Sequence, residues 1–173
     1  MADVAERAET LVRAWAAASR VVDPELPMLT LVDLGVLRDV DVDGDGAVVA
    51  AITPTYSGCP AMATMRDDLL RELQDAGFAD ARIRVSLEPA WTSDWITPEG
   101  RTALAEAGIS PPGPAPRHGG PVALRLGPTR RAVSCPQCGS DDVALSSEFG
   151  STACKAMYRC RACLEPFDHV KEI

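Results

Sequence analysis

The sequence predicts an α+β chain: a small α-β-β-α-β sandwich, then a flexible Pro/Gly linker, then a zinc ribbon. Three observations predict it. Apolar periodicity runs helix, strand, strand, helix, strand over the first ninety residues. Residues 108–133 then carry six prolines interleaved with five glycines. The tail holds two CxxC pairs, Cys135/Cys138 and Cys160/Cys163, with 21 residues between them. The expected domains are therefore 1–107, a linker 108–133, and a four-cysteine module 134–173.

The first element spans residues 4–20, where Val4, Ala8, Leu11, Val12, Trp15 and Ala18 recur at helical period. It ends before Asp23-Pro24, because the residue before proline avoids the helical region. Gly35–Val42 and Gly46–Thr53 read as a hairpin around Asp43-Gly44-Asp45. This turn also opens like a calcium loop, but the twelfth position, where Glu belongs, is Ile52 inside a strand. Thr53–Pro60 is a loop. A helix follows with Met62, Met65, Leu69, Leu73 and Ala76 on one face and Gly77 as its stop. Pro60 fits the first helical position, which places Cys59 at the cap. Ile83, Val85 and Leu87 alternate with Arg82, Arg84 and Ser86, so a third strand is expected with one face buried. A right-handed crossover makes it parallel to the second strand, with the helices on one face of a mixed sheet. Trp91 and Trp95 read as packing groups at the core edge, with ligand stacking as the alternative, and Thr97-Pro98 opens a last helix to about Ala107.

The linker composition packs no core. Beyond it, Cys135-Pro-Gln-Cys138-Gly139 is a knuckle whose glycine can take the left-handed turn; Leu164 stands where a second glycine would be usual. Four thiolates at this spacing close a tetrahedron, for which zinc is the default occupant and iron the alternative. A closed four-thiolate site has no open position, so it is structural. Cys154 is left over: it is either a buried small hydrophobe or a fifth thiol that exchanges with a ligand or faces a second metal. His169 is not needed in a cage already filled.

Composition excludes several classes. Net charge is −8, and residues 1–107 carry 9 Lys or Arg against 19 Asp or Glu, which repels nucleic-acid backbones. Five of the six cysteines fall in the tail, unlike a secreted disulfide framework. The N-terminus lacks the basic and apolar regions of a signal peptide, and no apolar run reaches the length of a membrane span. The expectation is a soluble cytoplasmic protein with no nucleic-acid or membrane partner. No glycine fingerprint for a dinucleotide and no Walker sequence is present.

Cys59 is the remaining chemistry-bearing residue. A thiol at a helix N-terminus favours the thiolate, which can bind soft metal, attack an electrophile or sense oxidation. Its bland reading is an inert cap cysteine. Neither His118 nor His169 is near it in sequence, which argues against a Cys–His hydrolase. One thiolate cannot hold an iron–sulfur cluster, so Asp23, Glu25, a homodimer or a partner protein would have to complete it.

Asp23-Pro24-Glu25-Leu26-Pro27, Leu31-Val32-Asp33-Leu34-Gly35 and Thr53-Pro54-Thr55-Tyr56-Ser57-Gly58-Cys59-Pro60 together resemble the metal–sulfur cluster assembly domain over roughly residues 8–107. That resemblance puts the domain's functional patch on Asp23, Glu25, Thr53 and Cys59. The tail segment Ser147–Cys160, Glu165-Pro166-Phe167 and Trp91-Thr-Ser-Asp94-Trp95 resemble the D-subunit family of the bacterial phenylacetyl-CoA epoxidase system, in which such a domain is joined to a four-cysteine ribbon. The resemblance implies an accessory part in aerobic phenylacetate degradation, not itself catalytic, that assists iron–sulfur or iron centre assembly in partner oxygenase or iron–sulfur reductase subunits. It also implies a zinc site, a transient iron–sulfur cluster or iron as cargo, and a role for Cys154. The sequence agrees by what it lacks: no Glu-x-x-His ligands of a di-iron bundle occur. A scaffolding component without metal transfer is the alternative, and a Cys59-dependent thiol enzyme the weaker one.

Overall fold

The structure is a computed structural model that describes residues 2–56, 58–116 and 132–173. Ser57, His118 and the 117–131 part of the expected linker lie outside the described residues. The chain divides into two compact units. One comprises residues 1–91 and 95–100, the other 92–94 and 101–173, so the division falls inside a helix.

In the first unit the element order is α1 (Ala2–Ala18), β1 (Leu37–Val42), β2 (Val48–Ile52), α2 (Met62–Asp75) and β3 (Arg82–Val85). β1 pairs antiparallel with β2, and β2 pairs parallel with β3, as the hairpin-plus-crossover pattern predicts. α1 packs on β1 and α2. Leu29, Leu31, Ile52, Met65, Leu69 and Leu73 are fully buried.

Two faces differ from their sequence readings. α1 buries Ala14, Ala17 and Ala18, whereas Val4, Val12 and Trp15 are 74%, 70% and 40% exposed. The small side chains let the helix approach the sheet closely, and the bulkier apolar residues lie on the next arc. In β3, Ile83 is only half-buried and Val85 is exposed, as is Leu87 just beyond the strand, so the alternation of apolar residues there does not mark a buried face.

Gly35 has φ 71, and a Cβ there would stand 2.6 Å from the Cβ of Trp95, so only glycine fits. Trp95 in turn lies under the Arg38 guanidinium, 3.5 Å from the ring centre, and Trp91 Nε1 donates to the Leu34 carbonyl at 3.0 Å. Both tryptophans therefore close the core edge, as packing groups do. Asp33 ties this corner together. It accepts from Thr30, its carbonyl accepts from Thr97 N–H, and Thr97 Oγ1 accepts from Gly100 N–H at the start of α3 (Pro98–Glu106).

The Asp43-Gly44-Asp45 turn is a hairpin turn and not a cation loop. Asp43 Oδ1 accepts from the Asp45 and Ala47 N–H groups, and Oδ2 pairs with Arg82 at 2.7 Å, so this carboxylate is already neutralised.

The second unit contains β4 (Val143–Ser147), β5 (Lys155–Cys160) and β6 (Pro166–Val170), an antiparallel meander in order β4-β5-β6. Its core is small: Val133, Cys135, Ala156, Tyr158, Cys160 and Phe167. The described start of the proline-rich stretch docks here. Ser110 N–H donates to Asp168 O, Val170 N–H donates to Ser110 O, and Gly113 N–H donates to Glu172 Oε1. Residues 110–113 thus serve as an added edge on this unit, a use of backbone groups that proline and glycine content does not reveal. Among the described residues, no helix is long and apolar enough to cross a membrane.

Candidate functional site

Two places carry the chemistry-bearing residues, one in each unit. In the second unit, a knuckle before β4 presents Cys135 and Cys138, and the β5–β6 turn presents Cys160 and Cys163. Their four sulfur atoms lie within 4.8 Å of one another. Cys135 Sγ is 3.7 Å from Cys163 Sγ, and Cys138 Sγ is 3.6 Å from Cys160 Sγ. Four thiolates around zinc at about 2.3 Å stand about 3.8 Å apart along each tetrahedral edge. The cage fits a tetrahedral metal by geometry and by donor chemistry.

The backbone shapes both halves alike. Gly139 has φ 71 and Leu164, its counterpart, has φ 67. Gly139 N–H donates to Cys135 O, and Cys163 N–H points at Cys160 Sγ at 3.4 Å. That N–H holds the Cys160 thiol down to about 6. At Cys163, the Glu165 N–H pulls the other way, but desolvation and three neighbouring thiols prevail and push it up to about 12. Such crowded thiols cannot all ionise without a cation among them.

Cys154 and His169 stand apart from the cage. Cys154 Sγ contacts Thr152 Oγ1 at 3.1 Å, and its carbonyl accepts from Lys171 N–H. His169 is fully buried between Ser110, 3.2 Å from Nδ1, and Glu172, 3.2 Å from Nε2. Sequence reasoning missed this network, because Ser110 and His169 are 59 positions apart and only the 3-residue spacing of His169 and Glu172 hints at it.

In the first unit, backbone hydrogen bonds link the segment before Asp23 to the residues that leave β2. Leu31 N–H donates to Val21 O, Val36 N–H to Leu31 O, Thr53 N–H to Val36 O, and Ser86 N–H to Ile52 O. The Asp23–Leu29 loop therefore adjoins the segment that leads out of β2. Asp23 is buried, and its Oδ1 accepts from Glu25 and Leu26 N–H, both at 2.8 Å, which fixes the loop. Glu25 is exposed and Thr53 is buried. Cys59 is partly exposed in the loop between β2 and α2. It is not the helix cap. α2 begins at Met62 with Ala61 as its cap, and Met62 N–H donates to Cys59 O at 3.3 Å. Pro60 and Ala61 form a turn first, which separates Cys59 from the first helical residue and weakens the dipole argument for its thiolate.

Comparison with known proteins follows the same division. Residues 11–88 match the profile of a family described as iron–sulfur cluster assembly protein, and residues 120–171 match that of a PaaD zinc beta ribbon domain. Over 157 residues the chain is 46% identical to a protein of Escherichia coli (strain K12) named as the D-subunit of a 1,2-phenylacetyl-CoA epoxidase. That alignment covers 91% of this chain and 90% of the relative. The chain belongs to this D-subunit family. Its first unit is also 35% identical, over 89 residues, to an Fe-S protein maturation auxiliary factor of Bacillus subtilis (strain 168), covering 51% of this chain and 86% of that one. In fold, it matches a domain of unknown function from Bacillus anthracis with a TM-score of 0.53 at 24% identity, covering 58% of this chain and 96% of that one.

Proposed function

We propose that this chain is an accessory maturation factor for an epoxidase of the phenylacetyl-CoA kind, working in the cytoplasm. It receives iron or an iron–sulfur cluster as cargo and passes it to partner oxygenase or iron–sulfur reductase subunits. The observation that carries the reading is the shared iron–sulfur assembly domain with a partly exposed thiol, Cys59, on the loop that leaves β2. Cys59 is the cargo thiolate; Glu25, exposed on the Asp23–Leu29 loop, is the carboxylate offered to the cargo beside it, and Thr53, buried, supports the segment that leaves β2. Asp23 acts by holding the loop, since one of its oxygens is spent on backbone N–H groups. A labile site suits this role, because transfer requires ligand exchange and too many ligands would trap the cargo. The four-cysteine ribbon holds zinc and presents a docking surface to the client, with Cys154 beside it. A host that lacks its own copy and is supplied with this chain should grow on phenylacetate, and the Cys59→Ser variant should fail to support that growth. Equal growth with the variant would defeat the thiol role and leave a scaffold.

The position of Cys59 outside the helix cap favours a second reading, in which the chain only scaffolds its partners. Metal uptake separates the two.

A further inference from the structure

The four-cysteine cage is sheltered on one side only. Cys135 and Cys160 are buried and belong to the small core of the ribbon, whereas Cys138 and Cys163 are exposed. Each CxxC knuckle thus contributes one sheltered and one open cysteine. The two open cysteines come from different knuckles, and their sulfur atoms lie within 4.8 Å of each other. Cys154 is no neighbour of theirs. It precedes β5 and Cys160 ends it, so about 20 Å of extended strand separates it from the cage.

We propose that Cys138 and Cys163 form a peroxide-sensitive pair, whose oxidation to a disulfide opens the cage and releases its metal. In a reducing medium the four thiolates retain the metal. Access decides which thiolates an oxidant reaches, and here it reaches the open two. One open thiolate attacks an oxygen of hydrogen peroxide and breaks the O–O bond. Its sulfur becomes a sulfenic acid, and hydroxide leaves. The second open thiolate attacks that sulfur, the S–S bond forms, and a second hydroxide leaves with the S–O bond. Two thiolates are oxidised by two electrons in all, and one peroxide is reduced. Cys135 and Cys160 are then left to hold the metal alone, and two thiolates do not close a tetrahedron. The core sets which bond forms. A disulfide within either knuckle would draw Cys135 or Cys160 out of the packing it shares with Ala156, Tyr158 and Phe167. Joining Cys138 to Cys163 moves only the knuckle tips, which run into Gly139 and the exposed Leu164. On the docking role proposed above, loss of the metal would withdraw the client surface under oxidising conditions. That consequence rests on the proposed function; the disulfide does not.

The test treats the full zinc-loaded chain carrying Cys59→Ser and Cys154→Ser with a hydrogen peroxide series. In this background only the cage thiols can react. A chromogenic indicator reads the zinc, and mass spectrometry of peptides maps the sulfur bonds. Zinc should leave in step with peroxide, one ion for each Cys138–Cys163 disulfide mapped. A thiol reductant with added zinc should return the metal and the far-UV circular dichroism spectrum. Cys163→His keeps a fourth ligand that zinc accepts but cannot form the bond, so peroxide should release its zinc at least tenfold more slowly. If that variant holds no zinc, the disulfide map alone decides. Zinc retained at a peroxide dose that fully oxidises a free thiol peptide overturns the proposal. So does a disulfide within one knuckle, or a cage oxidised to sulfinic acid without a disulfide. The readouts are zinc and sulfur bonding, so the outcome is separate from that of iron transfer through Cys59.

Discussion

Leu164 occupies a left-handed backbone conformation, φ 67, that an L residue holds at a cost of about 1–2 kcal/mol. Its side chain is 60% exposed, so little packing repays the cost. Leu164→Gly should therefore stabilise the metal-loaded ribbon by about 1 kcal/mol, seen as a higher urea midpoint at equal zinc content. Glu172 shows the opposite balance. Burial alone would raise its carboxyl, but hydrogen bonds from His169, its own N–H and Gly113 N–H outweigh that and hold it at about 2, below its ordinary 4.5. A depressed carboxylate pKa stabilises the fold above the unfolded value and loses that contribution as pH falls through the folded one. Glu172→Gln should cost about 2 kcal/mol at neutral pH, less than the whole shift implies, because the carboxylate keeps some access to screening water. The gap to the parent should shrink between about pH 4.5 and pH 2, as parallel urea titrations would show.

At the scale of elements, the ribbon leans on its metal. Two of the six residues in its core are cage cysteines, Cys135 and Cys160, and the three short strands offer little else to bury. Removing the metal with a chelator should abolish the β4-β5-β6 sheet while the helices of the first unit persist, as far-UV circular dichroism and amide exchange would report. Zinc should restore the sheet. The elements also show what the sequence makes legible. The strand order and pairing directions follow from chain order and handedness, and the cage follows from CxxC spacing. The buried face of α1 does not follow: periodicity marks an apolar arc but cannot say which part of it meets the sheet, and Ala14, Ala17 and Ala18 take that place. Cys59 is legible as a distinct thiol, but its place relative to α2 depends on a turn at Pro60-Ala61 that local propensity treats as helix. The Ser110–His169–Glu172 network leaves almost no signal, because its members meet only in three dimensions.

At the scale of the whole molecule, the family combines an iron–sulfur assembly domain with a zinc ribbon domain, two metal-related parts with different demands. The ribbon's cage is closed and retentive. The thiol of the assembly domain is partly exposed, which suits cargo that must leave. That contrast is the centre of the proposed function, and iron binding tests it most directly. The anaerobically purified chain, reconstituted with iron and sulfide and then desalted, should retain iron in addition to its zinc, with visible absorption. Cys59→Ser should lose that iron and keep the zinc. Iron retention unchanged in the Cys59→Ser variant would contradict the cargo role of Cys59.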